Sequence, residues 1–418
     1  MPSSLNAFCQ GELESIQDKG LLRGIRPLES AQGTTIQHGG RSLSNFSSND
    51  YLGLANHSFL RERARQALDI HGVGSGASPL ISGALEPQME LQEAIAKLKD
   101  TEASLIFTSG YAAAMGTLPA LFGSRDILVI DKLCHACLVD GARMSGAKIR
   151  VFRHNDMASL ERLLQWSRQN MQSRSLAEQG KIGVLGESVY SMDGDVAPLK
   201  SMAALKERYG AWLMIDEAHA TGVFGRKGEG LIHALGLSGR IEIQMGTLGK
   251  ALGCSGGFVA GTRQLVDLLI NKARSFIFST APSPSVSAAS LAAVEIIQSE
   301  EGSLMREQLF RNIQCFWGGI PDAWKNRTTE GGNLQGLKCA LAPETPILSW
   351  HVGDAQTALT LSKELLACGF FVPAIRYPTV PRGTARLRIT LSAAHTEAMI
   401  ESLMIGLLAC HEKLIVGS

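Results

Sequence analysis

Short apolar runs alternate with segments of helical period through the middle of this chain. Runs at Ser104–Phe107, Ile127–Ile130, Lys148–Phe152, Ile182–Gly186, Trp212–Ile215, Ile241–Met245 and Gly257–Ala260 have strand length and are bounded by polar or glycine-containing stretches. Between them, apolar positions at three- and four-residue spacing predict helices near Tyr111–Leu121, Ser159–Arg168 and Leu199–Tyr209. Strands separated by crossover helices assemble into a mostly parallel sheet covered on both faces, so an α/β fold with a seven-stranded sheet is expected. In such sheets ligands collect at the carboxyl ends of the strands.

After about Ser285 the rhythm changes. A long helical stretch, Val286–Gln298, leads to further helix, then to a strand at Ile347–Val352, a helix at Ala355–Ala367 and strands at Phe370–Ile375 and Ala385–Leu391. This predicts a smaller α+β domain over 286–418, following a large domain over 46–285, with residues 1–45 as an N-terminal segment packing on the small domain. The Gly- and Asn-containing stretch around Gly331–Asn333 is the expected joint within this region.

At 418 residues the chain can bury a large core in more than one domain. Its 40 basic and 39 acidic residues nearly cancel, which leaves no electrostatic footprint for nucleic acid or an anionic membrane. No apolar run reaches spanning length and the start lacks a basic-then-apolar leader, so a cytoplasmic protein is expected. The eight cysteines are scattered and should be reduced. Cys134 and Cys137 flank His135 in a C-x-x-C, but no second pair completes a zinc site, and no metal is expected.

The chemistry concentrates around one lysine. Lys250 is the sole charge between Glu242 and Arg263, and six glycines flank it there, a setting that lets backbone close around a bound molecule. Upstream, the apolar run Ala211–Ile215 ends abruptly at Asp216, with His219 one turn further on. Alone, the lysine reads as a solvated surface group and the aspartate as a cap. In this order within an α/β chain they point to pyridoxal phosphate (PLP), whose aldehyde condenses with a lysine and whose ring nitrogen is held protonated by a carboxylate. Thr108-Ser109-Gly110-Tyr111 follows a strand and opens a helix, where backbone N–H groups can hold a phosphate. His135 stands after another strand end, where it can stack on a flat ring.

Four segments together resemble the α-oxoamine synthases: Ser47-Ser48-Asn49-Asp50-Tyr51-Leu52-Gly53-Leu54, Glu187 to Asp195, Asp216 to Gly222, and Thr247-Leu248-Gly249-Lys250. These are fold-type I PLP enzymes that join an amino acid to an acyl thioester with loss of carbon dioxide, and the resemblance runs from about Arg23 to Leu408. Ala374 to Arg388 is most similar to the branch that condenses L-alanine with pimeloyl-CoA or pimeloyl-ACP in biotin synthesis.

The resemblance implies a role for each matching residue. Lys250, Asp216, His135 and His219 are the catalytic group: the lysine holds PLP and moves the α-proton, Asp216 pairs with the ring nitrogen, His135 stacks on the ring, and His219 with Ser191 bonds its phenolic side. Gly110, Tyr111 and Thr247 hold the phosphate, with Ser279 and Thr280, after a probable strand, reaching in from the second subunit of a homodimer with shared active sites. Arg376 binds the amino-acid carboxylate, Asn49, His135 and Thr379 line the substrate site, and Arg23, with Arg26 close by, meets the far carboxylate of the pimeloyl chain. Cys137 stands where Ser is usual and Tyr111 where Phe is frequent. The alternatives are a sister enzyme using glycine and acetyl-CoA, a longer-chain acyltransferase acting on serine or another amino acid, and a catalytically inactive partner subunit.

Overall fold

The computed structural model of the chain describes residues 4–173, 175, 179–325, 336–337 and 344–416. The chain begins with helix α1 (Leu5–Asp18) and the hairpin β1 (Thr35–His38) and β2 (Arg41–Asn45), followed by α2 (Ser58–His71) and α3 (Glu86–Leu98). The alternating region then gives β3 (Ala103–Phe107), α4 (Gly110–Leu121), β4 (Ile127–Asp131), α5 (Ala136–Ser145), β5 (Lys148–Phe152), α6 (Met157–Gln172), β6 (Ile182–Glu187), α7 (Leu199–Tyr209) and β7 (Trp212–Asp216). It continues through the short α8 (Leu231–Ala234) to β8 (Ile243–Thr247), β9 (Gly257–Gly261), α9 (Arg263–Lys272) and the single turn α10 (Arg274–Ile277).

These strands form a seven-stranded sheet in the order β3-β9-β8-β7-β6-β4-β5. The neighbours from β8 across to β5 pair in parallel, and only β9 runs against its two neighbours. Successive side chains of a strand face opposite sides, and here both sides are covered. Val129, Leu213 and Ile215 pack with Leu91 of α3, Leu164 of α6 and Met202 of α7, whereas Leu128, Leu185 and Met214 pack with Ala113 of α4, Leu138 of α5 and Leu269 of α9. Burial on both faces is why the central strands read as continuous apolar runs rather than as alternation, while the edge strand β5 keeps Lys148 and Val151 exposed. Cutting back one such side chain, as in Leu213→Ala, costs about 2–5 kcal/mol.

The remaining part contains α11 (Pro284–Gln298), α12 (Glu300–Gly319), β10 (Gly336–Leu337), β11 (Ile347–Gly353), α13 (Ala355–Ala367), β12 (Phe370–Phe371), β13 (Ala374–Ile375), β14 (Ala385–Thr390) and α14 (Glu397–Val416). A four-stranded sheet, β10-β11-β14-β13, carries helices α13 and α14, and β12 joins β1 and β2 in a three-stranded sheet. The N-terminal hairpin is thus hydrogen-bonded to the C-terminal part, through Phe370 opposite Ser44 and Phe371 opposite Asn45. No helix among the described residues is long and apolar enough to cross a membrane.

The seven sheet strands fall within one residue of the apolar runs at each end, except for β8. That strand begins at Ile243 rather than Ile241, because the Glu242 carboxylate accepts from Leu213 N (2.8 Å) and Lys206 Nζ (2.5 Å) and holds the approach as a connector. The single strand expected at Phe370–Ile375 is two short strands. Pro373 has no N–H to donate, and the pieces on either side of it pair with different partners, β2 and β14. The joint expected around Gly331–Asn333 lies outside the described residues.

Candidate active site

The carboxyl ends of neighbouring parallel strands bring the site together. β7 ends at Asp216, β6 places Glu187 directly opposite it, β8 ends at Thr247 before the Lys250 turn, and β4 leads through Asp131 to His135. The Lys250 turn is closed by Gly253 N donating to Lys250 O (2.8 Å) and Cys254 N donating to Leu248 O (2.9 Å). Gly253 has φ +66°, and a Cβ there would stand 2.5 Å from Ala55 N, so backbone of the Asn49–Ala55 segment presses directly on the lysine turn.

From Lys250 a hydrogen-bonded chain runs inward. Lys250 Nζ is 2.7 Å from His219 Nε2, and His219 Nδ1 is 2.6 Å from the Tyr51 hydroxyl oxygen. Tyr51 O–H donates to Asn49 Oδ1 (3.1 Å), which also accepts from Arg388 Nη1 (3.0 Å), while Arg388 Nε donates to the Ser191 carbonyl (2.5 Å). With its proton spent on Asn49, the Tyr51 oxygen accepts from His219 Nδ1–H, which leaves the lone pair of Nε2 facing the lysine. The charge balance agrees. Burial, reinforced by the charges of Lys250, Arg388 and His135, holds His219 well below the usual imidazole range, so the ring is neutral. Burial also lowers the pKa of Lys250, against the opposing pull of Asp216 and Glu187.

Asp216 is buried, and its Oδ1 accepts from Ala218 N (2.8 Å), which bends the chain into the turn that carries His219. Burial raises its pKa, with Lys250 opposing. Burial and the adjacent Asp216 push Glu187 up to about 8, and Glu187 Oε1 accepts from His135 N at 2.5 Å. The next residue after Asp216 faces the other way. Glu217 and Lys99 form an ion pair at 2.8 Å with both side chains fully buried, and Lys99 Nζ also donates to Thr221 Oγ1 (2.8 Å) and Glu229 O (2.6 Å). Gly230, at φ +112°, is required there, since a Cβ would meet Glu217 Oε2 at 2.4 Å. Removing one member of such a pair costs about 3–5 kcal/mol. The pair anchors the Asp216–His219 turn from behind.

His135 caps α5. Its Nδ1 accepts from Cys137 N (3.2 Å) with Cys137 Sγ at 3.0 Å, so the neutral ring carries its proton on Nε2. Ser109 caps α4 by accepting from Ala112 N (3.0 Å). The amides of Gly110 and Tyr111 therefore precede the first intrahelical bond, and a Cβ on Gly110 would lie 3.7 Å from Thr247 Cβ, so the helix start abuts the end of β8. Tyr111 itself is exposed and its hydroxyl donates to Asp140 Oδ2 (2.9 Å). Thr247 Oγ1 donates to Gly256 O (2.8 Å) and accepts from Gly249 N (3.1 Å).

The other expected residues divide. Asn49 and Ser191 join the central network through Arg388. Arg376 turns instead to the N-terminal segment, where its Nη1 donates to Gly20 O and its Nη2 to Leu22 O (2.9 Å). Arg376 is thus joined to the backbone beside exposed Arg23, while Arg26 stands over the Phe371 ring at 6.0 Å. Thr379 is exposed, and its amide donates to Arg376 O (3.0 Å). Ser279 and Thr280 follow the helical turn α10, not a strand, and no side-chain hydrogen bond ties either to the Lys250 network among the described residues.

Arg388, Tyr51, Glu187 and Lys99 are the site residues that sequence reasoning passed over. Period-two alternation puts Arg386 and Arg388 on one face of β14, and both are buried, a costly placement that signals a function. Tyr51 and Glu187 lie inside segments singled out above. Lys99, just past the end of α3, looks like any lysine at a helix terminus.

Comparison with known proteins places this geometry. The family model for aminotransferase class I and II matches residues 41–407. Similar chains include the 8-amino-7-oxononanoate synthase of Geobacter sulfurreducens, 44% identical over 391 residues that cover 94% of both chains. That of Anaeromyxobacter sp. is 46% identical over 395 residues, 94% of this chain and 93% of the relative. Among solved structures, a serine palmitoyltransferase of S. paucimobilis with bound PLP-myriocin superimposes with a TM-score of 0.88 at 27% identity, covering 99% of this chain and 100% of that one. The 8-amino-7-oxononanoate synthase of Francisella tularensis gives a TM-score of 0.71 at 25% identity, covering 90% of this chain and 98% of that one.

Proposed function

Because this chain belongs to the aminotransferase class I and II family, we propose that it is a PLP-dependent acyltransferase condensing L-alanine with a pimeloyl thioester. The products are 8-amino-7-oxononanoate, carbon dioxide and the free thiol carrier, CoA or acyl carrier protein, as a step of biotin synthesis. The observation that carries this reading is the Lys250 amine, lowered in pKa by burial and set 2.7 Å from a neutral His219.

The residues present fit PLP on their own chemistry. Asp216 is a buried acid with no ion-pair partner within 4 Å among the described residues, and a protonated pyridine nitrogen supplies the missing cation. The free amides of Gly110 and Tyr111, next to Thr247, suit a phosphate at the start of α4. When bound, PLP supplies an aldehyde that takes up amines and a ring that spreads negative charge away from Cα. Lys250 would hold the cofactor, and its Nζ, lowered in pKa by burial, would carry the α-proton of the amino acid. Asp216 would keep the ring nitrogen protonated. His135 would cover the ring face, and His219 and Ser191 would serve its phenolic edge.

We assign the alanine carboxylate to Arg388 rather than Arg376. The Arg388 guanidinium is buried beside Asn49, Tyr51 and Ser191, with no carboxylate within 4 Å among the described residues. A buried cation in that state is stabilised by a substrate anion. Held there, the carboxylate orients Cα for proton removal and is then lost as carbon dioxide. Arg376, bonded to the carbonyls of Gly20 and Leu22, belongs with Arg23 and Thr379 at the entrance, where the distal carboxylate of a pimeloyl chain arrives.

A second reading has a specific basis: the serine palmitoyltransferase fold superimposes at the higher TM-score. Fold similarity does not choose a substrate. The 44% identity to relatives named 8-amino-7-oxononanoate synthase, against 27% to the serine enzyme, favours alanine and a pimeloyl donor.

The active form in this reading is a homodimer with shared sites. Val73, Ile81 and Phe278 are 78%, 80% and 69% exposed. Bonds from Ala281 N to Ala77 O and from Ser283 Oγ to Val73 O join their segments into one surface that carries Ser279 and Thr280. A second copy on this surface would bring the two hydroxyls toward the phosphate position. The direct test of the reaction is release of carbon dioxide from carboxyl-labelled L-alanine. Release should occur only when pimeloyl-CoA or pimeloyl-ACP is present, and release without a thioester would mark a simple decarboxylase.

A further inference from the structure

His154 is gripped by two carboxylates from different elements around the site, one at the end of β4 and one in the Ser188–Ala197 loop. Its Nδ1 is 2.9 Å from Asp131 Oδ1 and its Nε2 is 2.7 Å from Asp195 Oδ2. Both ring nitrogens face carboxylates, which only donate-ready N–H groups can satisfy, so the bound form is the imidazolium. Among the described residues no other cation pairs with either carboxylate. The Tyr190 ring meets the imidazole edge-on at 4.4 Å, Asn155 Nδ2 lies 3.4 Å from Nε2 and donates to Asp195 Oδ2 (2.9 Å), and neighbouring Arg153 is paired with Asp156 (2.7 Å).

Each carboxylate organises one wall of the site. Asp131 is buried and accepts from Leu133 N (2.8 Å) and Asn155 N (2.9 Å), shaping the turn that delivers His135. Asp195 lies in the Ser188–Ala197 loop, closed by Tyr190 N donating to Asp195 O (3.0 Å) and Ala197 N donating to Ser188 O (3.0 Å), and this loop carries Ser191. On its far side the loop is fastened to the C-terminal part by Asp193 with Arg386 (2.8 Å), Thr345 Oγ1 with Gly194 O (2.7 Å) and Arg388 with Ser191 O. On the near side, His154 and Asn155 fasten it to the His135 wall.

We infer that protonated His154 is a positioning residue, an electrostatic clasp that sets the spacing between His135 and Ser191 and thereby the fit of the cofactor between them. The inference rests on the PLP reading above only for its cofactor readout. The clasp has a defined opening condition. Its two carboxylates raise the His154 pKa to about 9 although burial opposes them. A folded pKa above the unfolded value means that the contribution is complete below about 6.5 and disappears as the pH rises through about 9. Beyond that point one ring nitrogen offers a lone pair to a carboxylate. Asp195, whose side chain is 41% exposed against 0% for Asp131, is the partner that lets go.

The test is histidine-ring NMR of the full-length protein between pH 6 and 10, with PLP dissociation constants measured across the same range. Wild type and Asp195→Asn, a change at a partly exposed position, are compared. In wild type the His154 ring should titrate near 9, with the His135 resonances moving at the same pH and the PLP dissociation constant rising about three- to tenfold above it. In Asp195→Asn all three transitions should shift together to lower pH by about one unit or more. A His154 ring titrating near 6.5 overturns the clasp, as does a His135 or PLP transition that stays in place when the His154 pKa moves. If the protein takes up no PLP, the Lys250 reading fails, while the coupling of His135 to His154 still decides this inference.

Discussion

Lys250 Nζ lies 2.7 Å from His219 Nε2, in a chain that Tyr51, Asn49 and Arg388 continue into the core. The relationship gives the lysine a neutral neighbour that accepts its proton-bearing end without competing for the charge. Replacing Lys250 with Ala should leave a folded protein that still takes up PLP through the phosphate and ring contacts but loses turnover by about ten-thousandfold. Borohydride treatment of the wild type, followed by peptide mass mapping, should find the cofactor fixed on Lys250. A label on another lysine would remove Lys250 from its role.

The two arginines should separate by substrate. Arg388→Lys keeps the charge but gives up the planar fork, and it should raise the KM for alanine about ten- to a hundredfold whichever acyl donor is used. Arg376→Ala should leave the alanine KM near wild type and weaken a free-acid pimeloyl thioester while sparing its distal methyl ester. Steady-state kinetics with both donors decide the matter, and an alanine defect in Arg376→Ala with a normal Arg388→Lys would return the carboxylate to Arg376.

Much of the sheet was legible because its central strands are buried on both faces, so that Ile127–Ile130 and Ile182–Gly186 stand out as apolar runs within β4 and β6. Asp216 was legible because it ends such a run, His219 because it lies a turn further on, and Lys250 because it is the sole charge in a glycine-rich stretch. Arg388 was harder to see. It sits in a strand of the smaller sheet, and what singles it out is that it is buried with no carboxylate partner among the described residues, which only three-dimensional surroundings reveal. Lys99 could not be read at all, since the buried pair with Glu217 joins residues far apart in sequence. The split of Phe370–Ile375 follows from Pro373, a signal present in the sequence but outweighed by its apolar neighbours.

Subunit mixing should expose the shared site. Lys250→Ala and Thr280→Ala proteins, each strongly impaired, should regain part of the wild-type activity when exchanged into hybrid dimers, because one site per hybrid then carries both native residues. Demonstrated exchange with no recovery would mean that Ser279 and Thr280 serve their own chain or none.

Acid should loosen the join between the N-terminal hairpin and the C-terminal part. His395 Nδ1 accepts from Ser392 N (2.9 Å), its Nε2–H donates to Asn45 O (2.9 Å), and the ring stacks on Phe46 at 4.2 Å. Burial lowers its pKa to about 4 against the pull of the Asn45 carbonyl, and the N–H that Ser392 gives to Nδ1 suits the neutral ring, so that ring is the folded form. For a base depressed on folding, the contribution is whole above about 6.5 and is lost as the pH falls toward 4, on the order of 3 kcal/mol in all. Urea unfolding at pH 7.5 and 4.5 should show a larger loss in wild type than in His395→Gln, and equal losses would assign the acid sensitivity elsewhere.

The central claim is the choice of substrates, and a single measurement reaches it. Purified protein supplied with PLP is assayed for kcat/KM with L-alanine, glycine and L-serine, each crossed with acetyl-, pimeloyl- and palmitoyl-CoA and with pimeloyl-ACP. The account predicts that L-alanine with a pimeloyl donor exceeds every other amino acid and acyl length by at least about tenfold, with 8-amino-7-oxononanoate identified by mass. A preference for serine with palmitoyl-CoA, or for glycine with acetyl-CoA, would contradict it.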